Sequence, residues 1–304
     1  MKSHPIATAV VAGFLLALAL LPPVAAAAQE GLRVYISADM EGVAGVVTAD
    51  QLGPSGFEYE RFRAFMTAEV NAAIAAAREM GATEIVVSDS HGNGENLLLE
   101  DLPQDIQVIR SWPRPLGMME GIDESFDAVF LIGYHASTGN MAGVRAHTMS
   151  SANLTSLKIN GVEMSEGGVA GAIAGSFGVP VVMISGDDAA VAEVSETLGP
   201  IEGAVVKWSY SFHSARTLMP EAARQLIGDK VRAALGRIDE FEPFRIEGDM
   251  ELDLSFKNYT AAELLAYLPI VDRVDSHTVR FVGDIREVSM FIEFALGYAA
   301  TITP

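Results

Sequence analysis

Short runs rich in Val, Ile and Phe alternate along most of the chain with longer stretches in which apolar residues recur every three or four positions. That alternation predicts an α/β architecture, a mostly parallel sheet flanked by helices, because strands buried on both faces read as continuous apolar runs. The strands fall at Arg33–Ala38, Glu84–Ser88, Ile106–Ser111, Ala128–Gly133, Thr155–Ile159, Val179–Ser185 and Ala204–Trp208. Between the first two, Phe57 to Met80 carries Phe62, Phe65, Met66, Val70, Ala73, Ile74 and Ala77 on one helical stripe, and Gly81 follows as a left-handed stop. A strand, a long helix and a second strand of this kind make a right-handed crossover.

The pattern changes after about residue 210. Pro220 opens a helix with Ala223, Leu226, Ile227, Val231, Ala234 and Leu235 on its apolar stripe, ending before Gly236. Phe244–Gly248 and Glu251–Phe256 then alternate polar and apolar residues, Thr260 and Glu263 read as a capping box, and Val279–Val282 precedes a last helix from Ile285 to Tyr298. The expected layout is a catalytic α/β domain over residues 29–210 and a smaller C-terminal α+β lobe over 211–304, with no Pro/Gly/Ser linker between them.

Residues 1–28 read as a leader outside the fold. Met1-Lys2-Ser3-His4 is a short basic start, Ile6 to Leu21 is apolar, and Ala25 to Ala28 offers small residues for cleavage. The apolar run is shorter than the roughly 20 residues a spanning helix needs. A secretory signal peptide cut near Ala28 is the expectation, with an uncleaved N-terminal anchor as the alternative, and the cleaved chain is expected in the periplasm or outside the cell with no stable membrane insertion.

Composition narrows the chemistry. With 40 acidic against 20 basic residues and a net charge of −20, the chain repels phosphate backbones, so nucleic acid is not an expected partner. A hydrophobic fraction of 50% excludes disorder. Zero cysteines exclude disulfides, thiolate metal sites and a cysteine nucleophile, so any metal must rest on His, Asp and Glu. There is also no phosphate-loop, dinucleotide or nucleophile-elbow motif, although Gly42, Gly45, Gly92 and Gly94 cluster.

An open parallel sheet places its crevice outside the carboxyl ends of its strands, so polar residues there carry the functional reading. Arg33–Ala38 runs into Asp39-Met40-Glu41-Gly42, Glu84–Ser88 into Asp89-Ser90-His91-Gly92, and Ala128–Gly133 into Tyr134-His135-Ala136. In extended chain, positions i and i+2 face the same way, so Asp39 and Glu41 can aim at one point. Ser165-Glu166 adds a carboxylate at a helix start, and His147 lies close beyond His135. Asp39, Glu41, His91, His135 and Glu166 form a sulfur-free ligand set sufficient for two neighbouring divalent ions, which need a carboxylate between them. His147 is then free to move protons or to attack.

Taken singly, each position has a structural reading. Asp39-x-Glu41 suits a turn or cap, Glu166 a favourable charge at a helix N-terminus, and His91 and His135 satisfied loop residues. Asp187-Asp188 reads as the cap of a helix beginning near Ala189, Trp112 and Trp208 as core or pocket lining, and His213 and His277 as structural. Only the joint placement of the others at consecutive strand ends favours metal, and spacing alone leaves both readings open.

Five strings in register, Ser37-Ala38-Asp39-Met40-Glu41-Gly42-Val43-Ala44-Gly45, Ser88-Asp89-Ser90-His91, Gly133-Tyr134-His135-Ala136, Ser165-Glu166-Gly167-Gly168 and Gly186-Asp187-Asp188, resemble the D-aminopeptidase family of the DppA type, the M55 metallopeptidases. The resemblance implies a binuclear zinc aminopeptidase, with two zinc ions or other divalent ions per chain, releasing N-terminal D-residues such as D-Ala from short peptides with a free N-terminus. It implies Asp39, Glu41, His91, His135 and Glu166 as ligands with Asp39 as bridge, and His147, in Ala146-His147-Thr148-Met149, as the further catalytic residue. It also implies two-lobed subunits assembled into ring-shaped homo-oligomers. The leader departs from the cytoplasmic type member and points to cell-wall fragments or imported peptides. The alternatives are a periplasmic peptide- or metal-binding protein without catalysis, and another binuclear amidohydrolase or a phosphoesterase.

Overall fold

The structure, a computed structural model, describes Met1 and residues 31–298. The leader expected over residues 1–28 lies outside the described residues, Met1 apart. In chain order the elements are β1 (Leu32–Ala38), α1 (Tyr59–Glu79), β2 (Ala82–Asp89), β3 (Gln107–Ile109), β4 (Ala128–Tyr134), β5 (Leu154–Ile159), β6 (Val162–Glu163), α2 (Glu166–Ser176), β7 (Val181–Asp187), α3 (Asp188–Leu198), β8 (Glu202–Ser211), β9 (Ser214–Thr217), α4 (Pro220–Leu235), β10 (Met250–Phe256), α5 (Tyr259–Leu265), β11 (Val271–Arg273), β12 (Thr278–Gly283) and α6 (Ile285–Gly297).

Two sheets result. The first has seven strands in the order β3-β2-β1-β4-β7-β8-β9, parallel except for the β8–β9 hairpin. The second has five, β11-β12-β10-β5-β6, all antiparallel. Both faces of the parallel sheet are covered, which is why β4 and β7 are buried at every position. Along β1, Val34 and Ile36 join the core under α1 and α4, while Tyr35 joins the core on the opposite face, which contains α2, α6 and the inner side of the second sheet. Among the described residues no helix is long and apolar enough to cross a membrane.

Two expectations need correction. Thr155–Ile159 is a strand, but in the antiparallel sheet; from Ser156 to Ile159 its burial alternates because one side of that sheet faces solvent. The smaller lobe expected over 211–304 does not form as a separate piece. Residue 210 falls inside β8, and β9 and α4 complete the first sheet and its core. Of the later strands, β10 instead pairs with β5 and carries β12 and β11 beside it, so residues on both sides of 210 share each sheet, and residues 31–298 belong to one compact unit. A smaller difference concerns α5: Asn258 caps it by accepting the N–H of Thr260, in place of the expected Thr260–Glu263 box.

Strand order reverses between β1 and β4: the chain fills one side of β1 with β2 and β3, then returns to fill the other with β4 and β7. Such a switch point leaves a crevice at the carboxyl ends of the two central strands. Asp39 and Glu41 follow β1, and His135 follows β4, so the sheet topology brings these motifs together.

Candidate metal centre

Three backbone hydrogen bonds tie the strand ends. Asp39 N–H donates to Ile132 O at 2.8 Å, Gly42 N–H to Gly133 O at 2.6 Å, and Ser90 N–H to Ala38 O at 2.8 Å. The approach requires glycine: Gly133 has φ +74°, and a Cβ there would overlap the Asp39 carbonyl oxygen. Gly133→Ala is therefore expected to lower stability by about 3 kcal/mol, through left-handed strain plus overlap. Urea unfolding checks this, and a loss below about 1 kcal/mol would contradict it.

The six residues singled out in the sequence converge. His91 Nδ1 lies 3.2 Å from Asp39 Oδ1 and 2.8 Å from Glu41 Oε2. His135 Nε2 lies 3.3 Å from Asp39 Oδ2 and 3.2 Å from Glu166 Oε2. Asp39 thus faces one imidazole with each oxygen. His147 stacks on His135, with ring centroids 4.1 Å apart and planes 8° from parallel, and its Nε2 is 3.8 Å from Glu166 Oε1. Asp39, Glu41, His91, His135 and Glu166 are all buried.

Hydrogen bonds on the far side of each candidate ligand fix its aim. His91 Nε2–H donates to Leu52 O at 2.7 Å, His135 Nδ1–H to Ala136 O at 3.0 Å, and His147 Nδ1–H to Arg145 O at 2.8 Å. A carbonyl only accepts, so these nitrogens carry protons and the opposite nitrogen of each ring is left to ligate or to exchange one. Asp39 Oδ1 accepts from Met40 N at 2.8 Å, and Glu166 Oε1 from Met149 N at 2.6 Å. Glu166 stands first in α2, behind the Ser165 cap, where the helix N-terminus favours its charge.

Asp39 Oδ2, Glu41 Oε2 and His135 Nε2 are buried with no aligned hydrogen bond, although each has a nitrogen or oxygen within 3.3 Å. Buried polar atoms are ordinarily satisfied, and lone-pair atoms turned toward one another call for a cation. Ligand atoms of Asp39, Glu41 and His135, and separately of His135, His147 and Glu166, lie within 4.8 Å of one another. Imidazole plus carboxylate suits zinc without sulfur. The residues fit a metal centre.

Titration behaviour agrees with this. Burial opposes charge on His91 and His135, but Glu41 beside the first and Glu166 beside the second outweigh it and hold both imidazoles well above the ordinary histidine range. Asp39 is pushed up by burial and by the charge of Glu41, while His91 and His135 hold Glu41 and Glu166 low despite burial. Without metal, protons on the imidazoles thus take the cation's place. An imidazole whose pKa rises on folding stabilises the fold below its unfolded value, about 6.5, and that stabilisation is lost as pH rises through the folded value. The gap in melting temperature between zinc-loaded and chelator-treated protein is therefore expected to widen from about pH 6.5 to pH 9. Paired calorimetric scans test this; a gap independent of pH would contradict it.

The centre lies on the wall of an open cavity of about 540 Å³. Trp112, Pro113, Met118 and Met149 give it apolar surface, Glu293 and Leu296 of α6 line it as well, and among the described residues no Lys or Arg side chain lines it. Trp112, expected as core or lining, lines it, its indole N–H donating to Gly92 O at 2.8 Å. His213 and His277 lie elsewhere, in the turns of the β8–β9 and β11–β12 hairpins. Asp187 caps α3 as expected, accepting from Ala190 N at 2.8 Å, and also takes the N–H of Val144 at 2.9 Å, which anchors the loop carrying His147. Sequence reading missed Asp89 and Lys207. Asp89 accepts from the N–H groups of Asn96 and Leu97 at 2.6 and 2.7 Å and so shapes the loop bearing His91. Its place inside the Ser88-Asp89-Ser90-His91 string was the available signal.

Comparison with known proteins follows the same lines. Residues 32–294 match the M55 peptidase family, described as D-aminopeptidase. A D-aminopeptidase of Bacillus subtilis (strain 168) is 33% identical over 251 residues, covering 82% of this chain and 91% of the relative. The solved structure of the Zn-dependent D-aminopeptidase DppA from Bacillus subtilis, described as a self-compartmentalizing protease, superposes with a TM-score of 0.83 at 31% identity, covering 90% of this chain and 100% of that one.

Proposed function

The chain belongs to the M55 peptidase family and is a metallo-aminopeptidase, and from that premise we propose that it holds two zinc ions and releases N-terminal D-amino acids of the D-Ala type from short peptides. The observation that carries the two-ion reading is Asp39, whose oxygens face opposite imidazoles. Asp39, Glu41 and His91 would hold one ion, and Asp39, His135 and Glu166 the other. Zinc, when bound, supplies Lewis acidity toward the scissile carbonyl and lowers the pKa of water.

The chain's own groups do the rest. His147 is held by its Nδ1–H and by stacking on His135, which leaves Nε2 facing the cavity beside Glu166. At 13% accessibility its side chain is the least covered of the six, as a group that meets substrate must be. Its Nε2 takes a proton from the attacking water and returns it to the leaving nitrogen as the C–N bond breaks. The carboxylates of the cavity favour the substrate's free ammonium, and the absence of Lys and Arg from the lining leaves a nearby terminal carboxylate without a partner.

The leader read over residues 1–28 supports a periplasmic or secreted enzyme, and the description of DppA as self-compartmentalizing supports a ring-shaped homo-oligomer here too. Zinc-reconstituted protein is expected to turn over D-Ala-D-Ala with kcat/KM on the order of a hundredfold above L-Ala-L-Ala. Binding without hydrolysis, or preference for the L-peptide, would overturn the reading.

A further inference from the structure

Lys207, in β8, is wholly buried, and its ammonium points at the loop that follows β1. It donates to the backbone carbonyls of Glu41, of Val43 at 3.3 Å and of Val46 at 2.7 Å. An ammonium has three protons, so all are used on carbonyls; among the described residues Lys207 makes no ion pair. Burying a cation without a direct ion pair is costly, even with the Asp187 and Glu69 carboxylates near enough to act on it through space, and such an arrangement calls for a reason. On the same loop, Glu69 of α1, also buried, accepts the N–H of Ala44 at 3.0 Å. Gly42 N–H is taken by Gly133 O and Gly45 N–H by Thr217 Oγ1. The loop from Glu41 to Val46 is thus gripped from α1, β4, β8 and β9.

What this grip serves follows from a comparison of the ligands. Asp39 and Glu166 each have a backbone N–H on the carboxylate, and His91 and His135 each have a backbone carbonyl behind the ring. Among the described residues, the Glu41 carboxylate has no such backbone support, and His91 is its one ion-pair partner. Its aim depends on its own backbone, whose carbonyl Lys207 holds.

We propose that Lys207, with Glu69 on the same loop, is the positioning residue that sets the Glu41 carboxylate for the ion it would share with His91 and Asp39. The inference rests on the two-ion reading above. It makes the two half-sites unequal: in one every ligand has a hydrogen bond behind its side chain, in the other Glu41 is set through the loop.

The experiment is a zinc titration against a competing chelator, with melting temperature recorded in parallel. In Lys207→Met the affinity of one of the two zinc sites is expected to fall about tenfold to a hundredfold while the other stays within about threefold, the range for losing support behind a ligand. Lys207→Gln, which keeps two N–H donors for three carbonyls, is expected to fall between Met and wild type, and serves where Lys207→Met does not fold. Leu252→Ala, a core truncation in β10, is expected to lower the melting temperature with both affinities unchanged. Wild-type protein binding fewer than two ions would sink the two-ion reading. Wild-type protein with two ions, and Met and Gln variants with both affinities unchanged, would sink this inference alone.

Discussion

Asp39→Asn is expected to lose both metal ions and to reduce kcat/KM on the order of 10⁴-fold, a modest part of what a hydrolase contributes over the uncatalysed reaction. The reason is its position between the two proposed half-sites. Oδ1 sits 3.2 Å from His91 and accepts the Met40 N–H, while Oδ2 sits 3.3 Å from His135 with no hydrogen bond of its own. An amide keeps one oxygen, which the Met40 N–H orients toward His91, and presents an NH₂ to the lone pair of His135 Nε2. It also removes the negative charge on which two adjacent cations depend. Glu41→Gln, by contrast, touches one half-site and should release one ion. Zinc content after dialysis, with circular dichroism to show that the variants are folded, separates these outcomes. An Asp39→Asn protein that keeps one ion as firmly as Glu41→Gln does would show that Asp39 is not shared.

His147→Ala is expected to do the opposite: zinc content stays near the wild-type value while kcat falls on the order of a hundredfold or more, the range for a general acid–base group. Geometry makes this a real test. His147 Nε2 is close enough to Glu166 and His135 for the three to hold an ion together, so a ligand role is available to it. A ligand would take its ion with it when removed; a proton carrier would not. Loss of one zinc per chain in His147→Ala would move His147 into the ligand set, and an unchanged kcat would remove it from the mechanism.

Most of the candidate site was legible in the sequence because Asp39, Glu41, His91 and His135 follow strands whose apolar runs are unmistakable, and Glu166 follows a helix-capping serine. β1, β2 and β4 are buried along most of their length, so the polar residues after them mark their carboxyl ends. What one sequence hides is which sheet a strand joins. Ser156-Leu157-Lys158-Ile159 alternates as an antiparallel strand does, but Leu154 stands out of phase beyond a register shift and blurs the pattern, and the segment's place between two parallel strands points to the wrong sheet. The lobe boundary near 210 failed for a related reason: polar alternation marks a half-exposed strand, not a separate domain, and β10 finds its partner in β5 across almost a hundred residues. Lys207 was hidden differently. A lysine in a strand ordinarily reads as the solvent side of the pleat, and nothing local shows that three carbonyls wait for it in a loop more than 160 residues earlier. The Thr260–Glu263 box does not form because the helix already begins at Tyr259, where Asn258 caps it by accepting the N–H two residues on.

The central claim is that Asp39, Glu41, His91, His135 and Glu166 together grip two neighbouring cations. Anomalous difference maps from zinc-soaked crystals, collected on either side of the zinc edge, test it most directly. Two peaks roughly 3.5–4 Å apart are expected, both beside the Asp39 carboxylate, one toward His91 and the other toward His135. A single peak, or a second one remote from Asp39, would contradict it.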